Sequence, residues 1–493
     1  MFVVIILTAI AIITWIYAPV AWLAGVILVG SIWLVVQYLH LDAAVREPEL
    51  SLKSAEHGDM DAPTSPFVSI HVATYDEPPA LVIDTLRSLL GLDYPHFEVI
   101  VLDNNTADPK VWQPVAQFCA RYPAKLRFFH HDAVKGAKAG ALNLCLTVMD
   151  PAAEVVAVVD ADYCVEPHFL KEGVAAMHRS GAAFVQFPQA YRGVTDDIRP
   201  IAAELEDYFN AFARRANDTR SMLLTGTLSL IAVKPLIEVG GWNAATVTED
   251  AELGLRLFAA GFDGHFVDNI AGKGQLPLDF MSLRDQRARW VCGNVQTMAK
   301  MFGSHAGVLA RRGVKSVITQ LTAWPALLAL PILVLLFGAI PLPASHLRSS
   351  AINLSAIVVL ASLLVTAIRM AITVSVRGQP LGLVCEAVVV KWSLMWSSST
   401  CWIKTLTTQS LPFVKTPKAV GTRRHWSIPN IVLSSFALVA LGSHASTGHA
   451  LASAACFALA TTVPAAMWVD ARLSEYRPDS GLDQVMTVRG TRA

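Results

Sequence analysis

The stretch VVAVVDAD, residues 155–162, decides the fold. Its first five residues are apolar and mostly β-branched, which predicts a buried β-strand. Asp160 and Asp162 follow directly, and two carboxylates so close together repel each other unless a cation joins them. A hard divalent ion such as Mg²⁺ or Mn²⁺ keeps only one or two protein carboxylates when a diphosphate supplies other oxygens. We therefore predict a metal and diphosphate site here, with capping of a helix or turn as the alternative for each aspartate.

Strands and helices alternate on both sides of this stretch. The predicted strands are 67–73, 97–102, 126–130, 155–160 and 183–187, and the predicted helices between them are 79–90, 109–119, 138–149 and 167–178. This alternation predicts a doubly wound, mostly parallel α/β sheet whose ligand site lies beyond the carboxyl ends of the strands. Acidic residues also follow the first two strands, at Asp76, Glu77 and Asp103. The sequence thus predicts one site that collects side chains from several strand ends.

Two motifs farther along fit the same site. The tripeptide TED, residues 248–250, opens a predicted helix, and capping of that helix by Thr248 is one explanation for it. Gln286, Arg289 and Trp290 share one face of a later predicted helix, because their spacing is i, i+3, i+4. An arginine can hold a phosphate through paired hydrogen bonds, and an indole can stack on a sugar ring. A basic and aromatic belt at a membrane surface is the alternative.

The chain as a whole is too apolar for an ordinary soluble enzyme. Of its 493 residues, 54% are hydrophobic and 16% are charged, and the mean hydropathy is +0.46. These values predict an integral membrane protein. Residues 1–41 hold no charged residue and are about twice as long as one membrane-crossing helix needs. A hairpin of two helices is the prediction there, and one long tilted helix is the alternative.

The predicted organisation places one soluble domain between membrane hairpins. The segments are a transmembrane hairpin at 1–41, the soluble domain at 66–300, an interfacial helix and transmembrane pair at 301–376, an interfacial segment at 377–426, a further hairpin at 427–469 and a tail at 470–493. Lysine and arginine accumulate in the interfacial segment and the tail, so we place these parts, the soluble domain and both termini in the cytoplasm. The prediction is six spans, with Arg369 close enough to a helix end to reach the membrane surface.

Charge and cysteine content exclude other classes of protein. The 39 basic and 39 acidic residues leave no excess positive charge for phosphate contacts, so nucleic acid is not an expected partner. The seven cysteines contain no CxxC pair, and no histidine stands at zinc-ligand spacing from them. A disulfide framework and a zinc site are therefore not indicated.

Taken in order, the motifs resemble those of the membrane-embedded family 2 glycosyltransferases, the group that includes cellulose synthase, bacterial β-glucan synthases, and chitin and hyaluronan synthases. The matching motifs are TYDEP at 74–78, the aspartate of VLDN at 101–104, AKAGALN at 137–143, DAD at 160–162, TGT at 225–227, TED at 248–250 and QRARW at 286–290. One such motif alone is a weak signal, but this ordered series is specific. The resemblance covers residues 66–418 and departs from the usual TYNEP of the family at Asp76.

The resemblance implies a GT-A glycosyltransferase domain, a Rossmann-like α/β fold with a mostly parallel sheet, inserted between transmembrane α-helical hairpins. It implies an inverting hexosyltransferase that works at the cell inner (plasma) membrane. The expected donor is a UDP-sugar, first UDP-glucose and second UDP-N-acetylglucosamine. The expected acceptor is a growing β-linked polysaccharide whose synthesis is coupled to export, with membrane lipid and accessory export subunits as further partners.

The resemblance also implies roles for individual residues. Catalysis is expected from Asp250 as the general base, with Asp162 and Arg289 at the departing UDP. The residues expected at the nucleotide sugar are Thr74, Tyr75, Glu77, Asp103, Lys138, Asp160, Gln286 and Arg289. The residues expected at the acceptor are Thr227, Glu249 and Trp290. Asp160 and Asp162 are the expected ligands of Mg²⁺ or Mn²⁺.

A later segment, PFVKTPK at 412–418, resembles the FxVTxK gating loop of cellulose synthase. Phe413, Thr416 and Lys418 take the matching positions, whereas Lys415 replaces the valine. The segment favours the β-glucan synthase branch of the family and a protein that passes its polymer into a membrane channel.

Two other functions stay open at this point. A non-processive glycolipid synthase, which adds one sugar to diacylglycerol or a similar lipid, has the same size and the same kinds of motif. A six-span transporter whose soluble domain senses a nucleotide sugar is more remote. It would leave Asp250, Arg289 and Trp290 without a role, and the predicted spans hold no charged residue apart from Arg369 for coupled ion transport.

Overall fold

The computed structural model of the protein describes residues 2–46, 65–376, 378–407 and 428–476. Its elements are numbered in chain order. The strands are β1 Phe67–Thr74, β2 Phe97–Asn104, β3 Leu126–His131, β4 Ala153–Val158, β5 Cys164–Val165, β6 Phe184–Gln186, β7 Ser229–Ala232, β8 Gly264–Phe266 and β9 Gly272–Lys273. The predicted gating loop at 412–418 lies outside the described residues.

Helices lie between the strands and form both ends of the chain. Those up to the last strand are α1 Phe2–Tyr17, α2 Pro19–Val45, α3 Pro79–Leu90, α4 Pro109–Cys119, α5 Ala137–Val148, α6 Phe169–Ser180, α7 Arg199–Tyr208, α8 Arg214–Ala216, α9 Val233–Glu238 and α10 Glu249–Ala259. Those after it are α11 Phe280–Phe302, α12 Val314–Leu321, α13 Ala329–Phe337, α14 His346–Val376, α15 Leu381–Ser393, α16 Met395–Thr400, α17 Ile403–Thr407, α18 Ile428–Ser446, α19 Ala450–Ala460 and α20 Thr462–Glu475. A π-helical turn, Phe209–Ala213, joins α7 to α8.

Seven of the strands form one sheet in the order β3-β2-β1-β4-β7-β6-β8. Neighbouring strands run parallel, except that β7 is antiparallel to both β4 and β6. Strands β5 and β9 form a separate antiparallel pair. The predicted mostly parallel α/β sheet is therefore confirmed. The prediction lacks β7 and β8, because strands of four and three residues are too short to show a period of two.

Strand β4 is buried on both faces of the sheet. Val155 packs in the same apolar cluster as Leu86 of α3 on one face, and Val156 packs with Leu142 of α5 on the other. Burial on both faces explains why the strand is a continuous apolar run rather than an alternating one. Asp160 comes directly after this run, at the carboxyl end of the sheet.

Three described helices are long and apolar enough to cross a membrane, namely Pro19–Val45, His346–Val374 and Ala450–Glu475. A fourth candidate is the pair Leu381–Ser393 and Met395–Thr405, which is bent by 47°. This number differs from the six spans that the sequence predicts.

The difference has local causes. Helix α1 is 16 residues long and is separated from α2 by a break at Ala18, before Pro19. Helix α13, in the first half of the predicted pair at 301–376, has only nine residues and ends at Gly338. The segment 377–426, which the sequence predicts as interfacial, instead contains the bent pair that is the fourth candidate span. The domain boundaries themselves stay predictions.

Helices α2 and α14 pack closely against each other. A Cβ atom at Gly30 would lie 2.9 Å from the Val358 Cγ2 atom, so glycine permits the approach. The Trp33 indole nitrogen donates a hydrogen bond to Ser362 Oγ at 2.7 Å. These contacts join the N-terminal helix to the later apolar helices.

The sequence predicts that Arg369 of α14 extends toward the membrane surface, whereas the structure shows its side chain buried inside the protein. The residue is 3% exposed and forms an ion pair with Asp207 of α7. Thr373 Oγ1 donates a further hydrogen bond to Asp207 at 3.0 Å. A buried guanidinium needs a counter-charge, and Asp207 supplies it. The ion pair thereby connects the α/β domain to an apolar helix.

Candidate active site

A cleft at the carboxyl ends of β1 and β4 brings most of the predicted site residues together. It opens to solvent, and the space between its walls, with the open part included, is about 1180 Å³. The predicted residues that line it are Thr74, Tyr75, Glu77, Lys138, Asp160, Asp162, Glu249, Asp250, Gln286, Arg289 and Trp290. Two predicted residues, Asp103 and Thr227, do not line it. Phe413, Thr416 and Lys418 lie outside the described residues.

Asp103 lies behind the cleft, at the end of β2. It is 3% exposed, and its carboxylate accepts hydrogen bonds from the hydroxyls of Thr74 at 2.9 Å and Thr106 at 2.8 Å. Its second oxygen lies 2.8 Å from His130 Nδ1. Both carboxylate oxygens are thus used inside the protein, and Asp103 fixes the position of Thr74, which does line the cleft.

Asp160 is held from two sides. Its backbone N–H donates to the buried Thr227 hydroxyl at 2.9 Å, and its carboxylate accepts from Lys138 Nζ at 2.5 Å. The same ammonium donates to the Gly226 carbonyl at 2.6 Å and lies 3.9 Å from Glu249 Oε1. Lys138 therefore ties the DAD, TGT and TED motifs together, and Thr227 supports Asp160 from behind.

The charges around Lys138 keep it a cation. Burial alone would lower its pKa, but Asp160, Glu249 and Asp250 outweigh burial and raise the pKa of Lys138 above its ordinary value. Arg289 is the second cation of the cleft; burial lowers its pKa, and the same three carboxylates oppose that shift. The cleft therefore offers two positive side chains to an anionic ligand.

Asp160 and Asp162 fit the divalent ion that the sequence predicts. Asp162 is 8% exposed, and its carboxylate accepts from the backbone N–H of Gln275 at 3.3 Å. Among the described residues, no group of three histidine, cysteine, aspartate or glutamate side chains could hold a metal by itself. Two carboxylates facing a cleft are the donor set that Mg²⁺ or Mn²⁺ uses when a diphosphate completes its shell. Lys138 already lies against Asp160, which shows that this position favours positive charge.

Asp250 stands at the start of α10, next to a glycine that makes room for it. Gly226 has a φ of +88°, and a Cβ atom there would lie 2.9 Å from Asp250 Oδ2. Burial and then the charge of Glu249 raise the pKa of Asp250 to about 7, against the opposing charge of Lys138. A carboxylate with that pKa is suited to accept a proton near neutral pH.

Helix α11 carries the QRARW motif into the cleft. It begins after Asp279, whose carboxylate accepts from the Ser282 N–H at 2.6 Å and caps the helix. A Cβ atom at Gly293 would lie 2.2 Å from Thr248 Oγ1, so only glycine lets α11 approach the TED motif this closely. Thr248 precedes α10, but its hydroxyl makes no capping hydrogen bond. Its methyl and hydroxyl groups instead contact α11.

Four further polar side chains outside the sequence motifs line the cleft, namely Tyr163, Gln189, Tyr191 and Gln275. Gln189 donates a hydrogen bond to the Thr225 carbonyl and thereby reaches the TGT motif. Its position just after a predicted strand was an available signal, because strand ends face the site. Gln275 follows the two-residue strand β9, which leaves no pattern in the sequence.

Two smaller cavities lie near the cleft. The second cavity shares Thr248, Asp250 and Trp290 with the cleft. The third cavity lies among the apolar helices and is lined by residues such as Trp33 and Ser362. Trp324 lines both the second and the third cavity.

Comparison with known proteins places this architecture in a family. The family described as glycosyl transferase family group 2 matches residues 155–469, and glycosyl transferase family 2 matches residues 69–240. Glucomannan 4-beta-mannosyltransferase 2 of Arabidopsis thaliana is 29% identical over 259 residues, which are 50% of this chain and 48% of that protein. Probable glucomannan 4-beta-mannosyltransferase 4 of Oryza sativa subsp. japonica is 28% identical over 261 residues, with 50% and 47% covered.

The chain spans about half the length of these relatives. Among solved structures, mannosyltransferase PcManGT from Pyrobaculum calidifontis, in complex with GDP-Man and Mn²⁺, is 19% identical with a TM-score of 0.48. The alignment covers 76% of this chain and 99% of that one. The family matches cover most of the chain, and the mostly parallel sheet agrees with them. The protein is therefore a family 2 glycosyltransferase with a GT-A fold.

Proposed function

We propose that the protein is an inverting hexosyltransferase that extends a β-linked polysaccharide from a nucleotide sugar. The observation that carries this proposal is the single cleft in which residues of the DAD, TED and QRARW motifs meet. A general base, two cations and an aromatic side chain surround one space there. Glycosyl transfer needs these groups together, because the acceptor must be oriented while the leaving diphosphate gains charge.

We assign the donor diphosphate to the part of the cleft near Lys138 and Arg289. Both cations would neutralise the negative charge that builds on the departing nucleotide. Asp160 and Asp162 would hold Mg²⁺ or Mn²⁺, which when bound would neutralise further charge on the diphosphate. The nucleoside is assigned to Thr74, Tyr75 and Glu77, which line the cleft beside β1. Asp103 would support it indirectly through Thr74.

We assign the role of general base to Asp250. As the acceptor hydroxyl oxygen attacks the anomeric carbon, Asp250 would take its proton, and the bond from that carbon to the diphosphate would break on the opposite face. This order inverts the anomeric centre. Because burial raises the pKa of Asp250 to about 7, the carboxylate is a stronger base than an exposed aspartate and is still substantially ionised at neutral pH.

We assign the acceptor to the side of the cleft formed by Trp290 and Glu249. The Trp290 indole lines both the open cleft and the second cavity, so a sugar stacked on it would lie at the solvent-connected side of the site. This position supports an acceptor sugar that is part of a longer chain. Gln286 would help fix the QRARW motif beside Trp290.

The proposed donor sugar is a hexose, glucose or mannose. The likeness of the 412–418 segment to a glucan-synthase loop favours glucose, whereas the similarity to glucomannan 4-beta-mannosyltransferases favours mannose. The proposed location is the inner (plasma) membrane with the catalytic domain in the cytoplasm. It is supported by the described apolar helices and by the lysine and arginine content of the segments next to them. Export through the membrane, the gating loop and accessory subunits stay predictions.

The test uses the purified full chain in lipid nanodiscs with Mg²⁺ or Mn²⁺. Labelled UDP-glucose, GDP-mannose and UDP-N-acetylglucosamine are supplied one at a time, and the product is divided between high-mass polymer and organic solvent. We expect label from glucose or mannose in polymer that a β-glucanase or a β-mannanase digests. Label that moves into the organic phase as a single glycolipid would overturn the polysaccharide proposal in favour of a glycolipid synthase.

A further inference from the structure

A buried ion cluster lies next to Trp290. Arg287 is 1% exposed, and its guanidinium donates to one oxygen of Glu204 at 2.8 and 3.1 Å. The other Glu204 oxygen accepts from Lys391 Nζ at 3.3 Å. Burial alone would raise the pKa of Glu204, but Arg287 and Lys391 hold it below its ordinary value. The cluster therefore contains one carboxylate shared by two cations.

Arg287 contacts three residues that line the cleft, and the first is Tyr191, whose hydroxyl accepts a hydrogen bond from Nη2 at 3.4 Å. Its Nη1 atom donates to Gln286 Oε1 at 2.7 Å. Its guanidinium carbon lies 4.4 Å from the centre of the Trp290 ring. A planar guanidinium against an indole face is a favourable cation–π contact, particularly where water is excluded. Arg287 thus restrains both the amide of Gln286 and the ring of Trp290.

Trp324 extends this arrangement toward the apolar helices. Its ring lies 4.9 Å from the Trp290 ring, 5.1 Å from the Arg287 guanidinium carbon and 4.2 Å from Lys391 Nζ. Tyr208 stacks on it at 5.6 Å. The two cations that share Glu204 therefore also contact the two indoles that line the second cavity.

The three charged residues come from different parts of the chain. Arg287 lies on α11, Glu204 on α7, and Lys391 on α15 of the bent apolar pair. Losing one member would leave an uncompensated buried charge, so the three are expected to act as a unit. Their geometry links the acceptor side of the cleft to a helix that is a candidate membrane span.

We propose that Arg287 is a positioning residue of the acceptor side, which holds Trp290 and Gln286 and is itself held to α15 through Glu204 and Lys391. It does not line the cleft, so it acts through its neighbours. The inference rests on the proposed role of Trp290 as the acceptor platform. It predicts that changes in the cluster weaken acceptor binding and leave donor binding intact.

The first test is Arg287→Lys in the full chain in nanodiscs. Lysine keeps the charge for Glu204 but lacks the planar fork that reaches Gln286 and covers Trp290. We expect KM for a short β-linked oligosaccharide acceptor to rise at least about tenfold, while the Kd for the nucleotide diphosphate changes less than about twofold. Arg284→Lys is the matched control, because it makes the same substitution on the same helix at an arginine that pairs with Asp285 at 2.7 Å. The acceptor KM and the nucleotide Kd of this variant should stay unchanged. An unchanged acceptor KM in a folded Arg287→Lys protein would overturn the proposal.

A double-mutant cycle shows whether Arg287 acts through Trp290. In the Trp290→Ala protein, adding Arg287→Lys should raise the acceptor KM less than about twofold further. A full additive effect would contradict the positioning role. If Trp290→Ala itself leaves the acceptor KM unchanged, Trp290 is not the acceptor platform and the proposed function is wrong on that point. Additive effects of the two substitutions would instead contradict only the positioning role of Arg287.

Lys391→Gln tests the link to the membrane helix without changing α11. We expect the acceptor KM to rise, by less than in Arg287→Lys, again with an unchanged nucleotide Kd. Thermal unfolding of each variant shows whether it is folded. A folded Lys391→Gln protein with wild-type acceptor kinetics would overturn the part of the proposal that concerns α15.

Discussion

The donor side and the acceptor side of the cleft are held in place by different parts of the protein. On the donor side, Asp160 is fixed by Thr227 and Lys138, which belong to the α/β domain itself. On the acceptor side, Trp290 is restrained by Arg287, whose partner Glu204 also binds Lys391 of an apolar helix. Donor binding is therefore expected to depend on the soluble domain alone, whereas acceptor binding depends on the whole chain.

The largest expected effect is at Asp250, where the two sides meet. Asp250→Asn should lower kcat by about 10³-fold, because asparagine cannot take the acceptor proton. The Kd for the nucleotide diphosphate should stay within about threefold of wild type. The measurement is label transfer together with calorimetric nucleotide binding. Asp263→Asn, which changes the half-buried partner of the exposed Arg220, is the control. Substantial turnover by Asp250→Asn would exclude Asp250 as the base.

The next largest effect isolates the donor side. Asp160→Asn removes the carboxylate that Lys138 contacts and one proposed metal ligand, so nucleotide diphosphate binding with Mn²⁺ should weaken by about 10²-fold. The acceptor KM should not change, which is the reverse of the pattern expected for Arg287→Lys. Binding is measured by calorimetry with and without Mn²⁺. A rise in the acceptor KM as large as the loss of nucleotide binding would show that donor and acceptor binding cannot be changed independently.

The pH dependence of kcat/KM tests the ionisation of Asp250 and the influence of Lys138 on it. Asp250 must be ionised to act as a base, and burial raises its pKa to about 7. Below that pH, kcat/KM should fall about tenfold per pH unit, because the protonated fraction grows. In Lys138→Met the fall should begin at higher pH, because Lys138 opposes protonation of Asp250. A rate that is flat between pH 5 and pH 8 would contradict this assignment.

The smallest effect concerns the contact that joins α11 to the TED motif. Gly293→Ala would place a methyl group 2.2 Å from Thr248 Oγ1. Helix α11 and Thr248 must then move apart, and this shift should lower the free energy of unfolding by about 1–3 kcal/mol. Thermal unfolding should shift down by a few degrees, with a modest loss of kcat. Gly307→Ala is the matched control, since a Cβ atom there meets nothing within 4 Å. Equal melting temperatures for the two variants would show that α11 can move without cost.

Several residues of the proposed donor side can be placed together from the sequence because they follow strands. Asp160 and Tyr75 come at the ends of apolar runs, and parallel strands bring such ends to one edge of the sheet. Lys138 opens a helix after a strand in the same way. These local patterns also suffice to predict the mostly parallel sheet.

The acceptor side is less predictable because its contacts join distant segments. Nothing near Arg287 in the sequence indicates that it pairs with Glu204 or that Glu204 also binds Lys391. The described helices that are long enough to cross a membrane are fewer than the six predicted spans for a related reason. Hydropathy finds apolar stretches, but breaks such as those at Ala18 and Gly338 decide which stretches become long helices. Arg369 likewise pairs with Asp207, which no local pattern reveals.

The ion pairs between α7 and the apolar helices have a consequence for protein production. Excision of residues 66–300 for crystallography or screening would remove Lys391 from Glu204 and Arg369 from Asp207. Both carboxylates would then lack one cation on a newly exposed apolar face, and the fragment would tend to aggregate at high concentration. A soluble fragment would therefore require a redesigned α7, with Asp207 replaced by a neutral residue and the exposed apolar surface made polar.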